Sequence, residues 1–147
     1  MPPMERAKLM RAIADELRAV SKEGGKILCH ENGKLLSGAE YEFLDAANYF
    51  DYYSGLTDKL EGHTIPVNNK VVDYTLLEPY GVSGHIIPWN FPISMLARSL
   101  SCAFAAGNST VIKTAELTPL ATASFFAKAI DNACLLYTSP SPRDVEE

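Results

Sequence analysis

The sequence predicts an α/β fold in which a run of helices leads into parallel strands joined by a helix. Three observations predict it. Apolar residues recur at helical spacing over the first third of the chain, and two short β-branched runs follow. One amphipathic helix then separates those runs.

Taken in order, Met4 to Val20 is the first helix. Met10, Ile13, Ala14, Leu17 and Val20 share one face, while Arg6, Lys8, Arg11, Asp15, Glu16 and Arg18 lie elsewhere. Gly24-Gly25 reads as an interruption. A short second helix is expected over Lys26–Asn32, stopped by Asn32-Gly33. Ser37 with Glu40 resembles a capping box and opens a long helix over Ala39–Leu60. Its stripe is Phe43, Ala47, Phe50 and Ser54. The crowd of Tyr41, Tyr49, Tyr52 and Tyr53 around it reads as core or subunit contact.

After Gly62, Val71–Leu77 alternates with the period of a strand. Glu78–Gly81 is a turn, and Val82–Ile87 reads as a buried strand. Pro88–Phe91 breaks regular structure. Pro92 suits the first position of a helix that runs through Met95, Leu96, Leu100 and Phe104, and Gly107-Asn108 closes it. Ser109–Lys113 is a strand, Thr118-Pro119 a cap, and Leu120–Ile130 a helix. The last four elements form a βαβα run, so a right-handed crossover should make the two strands parallel.

The composition fits one globular domain, or a piece of a larger one: 147 residues, 47% hydrophobic and 21% charged. A formal charge of −5 without a Lys/Arg run argues against a nucleic-acid partner. No apolar run approaches the roughly 18 residues of a membrane span, and no charged-then-apolar leader opens the chain. A cytoplasmic protein with no membrane partner is expected. The cysteines Cys29, Cys102 and Cys134 form neither a metal pattern nor a disulfide framework. Cys29 and Cys102 read as buried free thiols.

The tail reads as foreign. Cys-Leu-Leu-Tyr-Thr-Ser-Pro-Ser-Pro-Arg-Asp, residues 134–144, follows an amphipathic helix with an abrupt shift to Pro and Ser. One frame of a common transposase-based sequencing adapter encodes the same eleven residues. The expectation is therefore a partial domain over residues 1–133 and a non-native, disordered tail over 134–147.

In an open α/β sheet, ligands bind beyond the carboxyl ends of the strands. Two segments leave such ends. The first is Ile87-Pro88-Trp89-Asn90-Phe91-Pro92, whose prolines restrict the backbone at both ends. Asn90 between them offers a neutral amide donor suited to a developing oxyanion. From the residues alone an ordinary helix cap is the stronger reading. The second is Lys113-Thr114-Ala115-Glu116, a cation and an anion just past a strand. Lys113 could donate to ribose or phosphate oxygens and Glu116 could accept from ribose hydroxyls. A solvated loop with two charges is the competing reading.

Four segments then carry a resemblance: Glu78-Pro79-Tyr80-Gly81-Val82, Ile87-Pro88-Trp89-Asn90-Phe91-Pro92, Ala105-Ala106-Gly107-Asn108 and Lys113-Thr114-Ala115-Glu116-Leu117-Thr118-Pro119. In order and spacing they resemble the aldehyde dehydrogenase superfamily, and Glu5-Arg6-Ala7 and Asn32-Gly33-Lys34 resemble its earlier helices. The likeness covers essentially all of residues 4–133. It implies a fragment of that fold, an incomplete Rossmann-like parallel sheet preceded by N-terminal helices. It also implies oxidation of an aldehyde to a carboxylic acid with NAD(P), through attack by a cysteine thiolate.

By position, the resemblance makes Asn90 the oxyanion donor, with Ile86, Ile87, Pro88 and Trp89 lining the cofactor cleft. Lys113 and Glu116 would bind the adenosine ribose. The Glu116 carboxylate would repel a 2′-phosphate, which favours NAD over NADP. Thr114 stands where the family commonly has proline. The family's glycine-rich loop, catalytic cysteine and general-base glutamate have no match here, so the chain alone is expected to be inactive. Its parent is expected to be a homodimer or homotetramer. The alternatives are a relative reducing acyl-phosphate or acyl-CoA substrates, and a non-catalytic nucleotide-binding or subunit-interaction module.

Overall fold

In the computed structural model, residues 1–134 are described. Helices α1 (Pro3–Ala19), α2 (Ser21–Asn32) and α3 (Leu36–Ser54) come first. Strands β1 (Thr64–Asn68), β2 (Val71–Tyr74) and β3 (Val82–Ile86) follow. Then come α4 (Pro92–Ala105), β4 (Ser109–Lys113), a π-helical segment over Ala121–Phe126 and α5 (Ala127–Cys134). The expected foreign tail lies outside the described residues except for Cys134, the last residue of α5.

The core is a layer of helices around α3, which packs against α1, α2 and α4. The stripe predicted for α1 is buried at Met10, Ile13, Ala14 and Leu17, with Ala7 extending it. All four predicted stripe residues of α3, Phe43, Ala47, Phe50 and Ser54, are buried. Phe50 lies between Phe104 and Phe126, with ring centroids 6.1 Å away in each case. Tyr41 and Tyr52 are exposed, so these two are not core residues.

Gly24 and Gly25 do not interrupt α2. They lie inside it and are buried, because this is where α3 crosses most closely. A Cβ on Gly24 would stand 2.4 Å from the Phe43 ring, and one on Gly25 would stand 2.9 Å from the Glu40 backbone. Each glycine costs the helix about 1 kcal/mol, which the close helix–helix contact offsets. Local propensity alone could not show this.

The α3 boundaries also differ from expectation. The helix starts at Leu36 without a side-chain cap, so Ser37 is inside it and Glu40 packs on Gly25 instead of closing a capping box. It ends at Ser54 and not at Leu60. There the Ser54 hydroxyl donates to the Asp51 carbonyl and the Thr57 hydroxyl donates to the Ser54 carbonyl, which tightens the chain out of the helix.

The strand β1 was not predicted, because Pro66 in its middle argues against a strand. It pairs antiparallel with β2, and the register slips between Ile65 and Asn68, around that proline. β2 stops at Tyr74, three residues short of the expected end. The predicted parallel pair is present: Val82 lies opposite Ser109, and Ile86 opposite Lys113. Gly107 adopts φ 87 just past α4, as predicted. The Asn108 side chain accepts from the Gly81 amide at 3.1 Å, tying the starts of β3 and β4 together.

β3 is not the buried strand expected. Helix α4 packs on this sheet, and Ser83 and His85 are half-buried while Val82 and Ile86 are 68% and 82% exposed. A parallel sheet is ordinarily covered on both faces, and among the described residues this one is not. Cys29 is half-buried and Cys102 exposed, so the buried-thiol reading fails for Cys102. It falls outside the buried positions of α4, which include Ile93, Leu96, Ala97 and Leu100.

Thr118 does not cap the last helical region; its buried hydroxyl oxygen has no partner. The first amides of that region are taken instead by Glu31 of α2, whose carboxylate accepts from Leu120 and, at 2.8 Å, from Ala121. A carboxylate at a helix start also meets the favourable end of the dipole. Replacing Glu31 with Ala should lower stability by about 1 kcal/mol, read as a lower urea midpoint at unchanged m-value.

Candidate functional site

Because β3 and β4 are parallel and in register, the two segments singled out in the sequence leave the same end of adjoining strands. The Ile87 amide donates to the Lys113 carbonyl at 3.0 Å, which continues the ladder one step beyond β3. The chain then turns through Pro88–Phe91 and enters α4 at Pro92, its first residue.

Within the turn, each predicted residue has a definite place. Ile86 is 82% exposed, whereas Ile87 is 5% exposed and belongs to the core, so Ile87 faces the site only through its backbone. Pro88 and Asn90 are exposed, as are Trp89 and Phe91. The helix cap is Phe91, outside helical geometry at φ −137 and ψ 64 and making no side-chain cap hydrogen bond. Asn90 therefore caps nothing. Among the described residues its carboxamide has no protein partner, so its NH2 remains available to a ligand. That removes the ordinary reading of this residue.

The free amides at the α4 start go to Glu42 of α3. Its Oε2 accepts from the Ile93 amide at 3.2 Å and the Ser94 amide at 3.4 Å. Glu42 is only 2% exposed, and its other oxygen is paired with the Lys34 ammonium. Lys34 also donates to the Asn90 carbonyl at 2.9 Å and lies 4.5 Å from the centre of the Phe91 ring. Burial pushes the Lys34 pKa below lysine's ordinary value. Next to it, the Asn32 amide donates to the Trp89 carbonyl at 2.6 Å. Gly33 separates the two with φ 76, the left-handed geometry that stops α2 and lets both side chains reach the turn.

On the neighbouring strand end, Lys113 and Glu116 form a loose ion pair of 3.8 Å, with side chains 61% and 91% exposed. Lys113 also donates to the Thr114 carbonyl at 3.2 Å. A solvent-exposed pair of this kind contributes little to stability. It presents one cationic donor and one carboxylate acceptor that a diol could engage. One concave surface lies elsewhere, by Arg6, Met10 and Phe104; another, by Ile112, Phe126 and Ile130, reaches the site segment at Thr114. Among the described residues no cluster of His, Cys, Asp or Glu is arranged to hold a metal, and no helix is long and apolar enough to cross a membrane.

Sequence reasoning missed Glu31, Glu42 and the clamp formed by Asn32 and Lys34. The one available signal was Glu42 itself, a carboxylate one position before Phe43 on the buried stripe of α3.

Comparison with known proteins gives one consistent result. The aldehyde dehydrogenase family profile matches residues 1–137. An aldehyde dehydrogenase of Aspergillus niger is 42% identical over 118 residues, 80% of this chain and 24% of that protein. The NAD+ complex of aldehyde dehydrogenase from Bacillus cereus superposes with a TM-score of 0.86 at 36% identity, covering 90% of this chain and 27% of that one. A glyceraldehyde-3-phosphate dehydrogenase from Methanocaldococcus jannaschii, complexed with NADP, gives 0.87 at 28% identity, over 95% and 30%. The chain spans about a quarter of the length of the curated relatives it matches.

Proposed function

This chain belongs to the aldehyde dehydrogenase family, and on that premise we propose that the whole protein oxidises an aldehyde to the carboxylic acid with NAD(P). The observation that carries the reading is the Asn90 carboxamide, unpartnered among the described residues on its proline-bounded turn, with Lys113 and Glu116 at the same end of the sheet. A neutral donor on a held backbone there can polarise an aldehyde carbonyl and stabilise the oxyanion that forms when a thiolate adds to it.

The donor set suits a dinucleotide. Lys113 and Glu116 offer a donor and an acceptor for ribose hydroxyls, and the exposed Ile86 and Trp89 side chains offer apolar surface nearby. Pro88 continues that surface, and Ile87 holds it in place from the core. NAD(P), when bound, supplies the hydride acceptor. The exposed Glu116 carboxylate supports NAD over NADP, because a 2′-phosphate would meet a like charge.

The thiolate is assigned to a cysteine outside this chain, as is the base that activates water to release the acid. Cys29 is engaged with the Lys34 carbonyl at 3.0 Å. Cys102 lies ten residues along α4 from Pro92, about 15 Å away on helical rise. An acyl-enzyme on Cys102 would be out of reach of Asn90, and the Cys29 thiol is turned to the Lys34 carbonyl.

Cytoplasmic residence and a homodimeric or homotetrameric parent belong to the same proposal. The exposed apolar residues of the β1–β2 hairpin, with Val72 81% exposed, support association with another surface. The reaction is tested by assaying NADH formation from simple aldehydes. The protein encoded by the complete reading frame should turn over, and residues 1–147 alone should not. Turnover at ordinary enzymatic rates by the 147-residue chain would remove the role given to an external cysteine. No turnover of any aldehyde by the complete protein would remove the reaction.

A further inference from the structure

We infer that Lys34 and Glu42, with Asn32, are positioning residues for the Asn90 carboxamide, holding a turn that cannot hold itself. The catalytic meaning of this inference rests on the oxyanion role proposed above; the mechanical part does not.

Pro88 and Pro92 remove two backbone donors from the turn. Among the described residues no backbone hydrogen bond joins residues 88–92 to one another; the nearest are Ile87 to Lys113 before the turn and Met95 to Phe91 after it. The prolines fix their own φ but leave Asn90 exposed and, among the described residues, without a side-chain hydrogen bond. Its restraint comes from outside. Asn32 holds the Trp89 carbonyl, Lys34 holds the Asn90 carbonyl, and Glu42 holds the Ile93 and Ser94 amides just beyond. All three side chains come from the segment 32–42, so α2 and α3 grip both sides of the turn.

The chemistry of the pair favours this use. A buried ion pair is a poor source of stability, since desolvation consumes most of the attraction. An apolar pair of similar volume would fill the same space but could not bond a carbonyl on one side and two amides on the other. Glu42 divides its oxygens between Lys34 and the α4 amides, so cation, carboxylate and helix start form one connected unit. A displacement of a catalytic donor by about 1 Å can cost on the order of a hundredfold in rate, so such a grip has consequences.

Trp89 is the chain's single tryptophan, adjacent to Asn90, and reports the turn directly. In the 147-residue chain, Lys34→Met should lower Trp89 anisotropy and raise its quenching by acrylamide, with helical circular dichroism retained. Lys34→Arg should restore both. Arg18→Met, which removes the α1–α3 pair with Asp51, should leave Trp89 unchanged. Unmoved Trp89 signals in a folded Lys34→Met chain would overturn the inference.

A second measurement needs no variant. Ile93 and Ser94 amides should exchange with solvent about tenfold more slowly than Ser37 and Gly38, which start α3 without a cap. Equal intrinsic-corrected rates would overturn it as well. In the protein from the complete reading frame, Lys34→Met should lower kcat by roughly tenfold to a hundredfold while KM for NAD is held. Full kcat in Lys34→Met, where Asn90→Ala is crippled, sinks the positioning role. Full kcat in Asn90→Ala sinks the oxyanion reading instead and leaves the Trp89 response standing.

Discussion

Replacing Asn90 with Ala in the protein encoded by the complete reading frame is expected to lower kcat by about 10²–10³-fold, with KM for NAD little changed. That is the size of loss seen when one donor to a developing oxyanion is removed. The structure says why the loss should fall on kcat. Asn90 caps no helix and, among the described residues, bonds no other side chain, so its removal takes away no packing and no internal hydrogen bond. Glu42 already satisfies the α4 start. Steady-state kinetics with NAD and a simple aldehyde, beside a thermal melt, separate the two outcomes. A drop in melting temperature with kcat preserved would mean that Asn90 is structural after all.

Truncating Phe50 to Ala carries the largest expected effect on stability, about 3–5 kcal/mol. Its ring is fully buried and contacts two other aromatic rings contributed by distant segments, Phe104 of α4 and Phe126 of the π-helical segment. The resulting cavity would lie where α3 joins the helices that flank β4, so little can collapse into it. Since small domains are stable by only about 5–15 kcal/mol, this one change should move the urea midpoint far towards zero. Tyr52→Ala, two residues away but 67% exposed, should alter stability by less than about 0.5 kcal/mol. Similar losses for the two would contradict the assignment of the core.

Much of this arrangement was legible in the residues, and the failures share a cause. Local signals were sufficient where the deciding interaction is local. Gly33 and Gly107 ended helices where expected, Pro92 began one, and the β-branched runs at Val82 and Ser109 paired in parallel. Reading failed where a distant partner decides. Gly24 and Gly25 look like a break until α3 is laid across them. Thr118 looks like a cap until Glu31, far away in sequence, takes its amides. Pro66 hides a strand that only its pairing with β2 reveals.

The site divides in the same way. The motif around Asn90 and the Lys113–Glu116 pair could be found by eye, and topology put them on one end of neighbouring strands. Glu42 beside the buried stripe hinted that a carboxylate is held inside, but no local pattern in residues 32–42 names its partner, a turn more than 45 residues further on. Ile87 follows the alternation of β3, exposed at 82, 84 and 86 and turned inward at 83, 85 and 87, so strand period separates this core side chain from the lining Ile86.

The most direct test is a crystal structure of the protein from the complete reading frame with NAD bound. The expected result puts the adenosine ribose hydroxyls within hydrogen-bond reach of Lys113 and Glu116, with the Asn90 NH2 facing the nicotinamide end. A dinucleotide bound at another edge of the sheet, with Lys113 and Glu116 still turned only towards each other, would contradict the shared site.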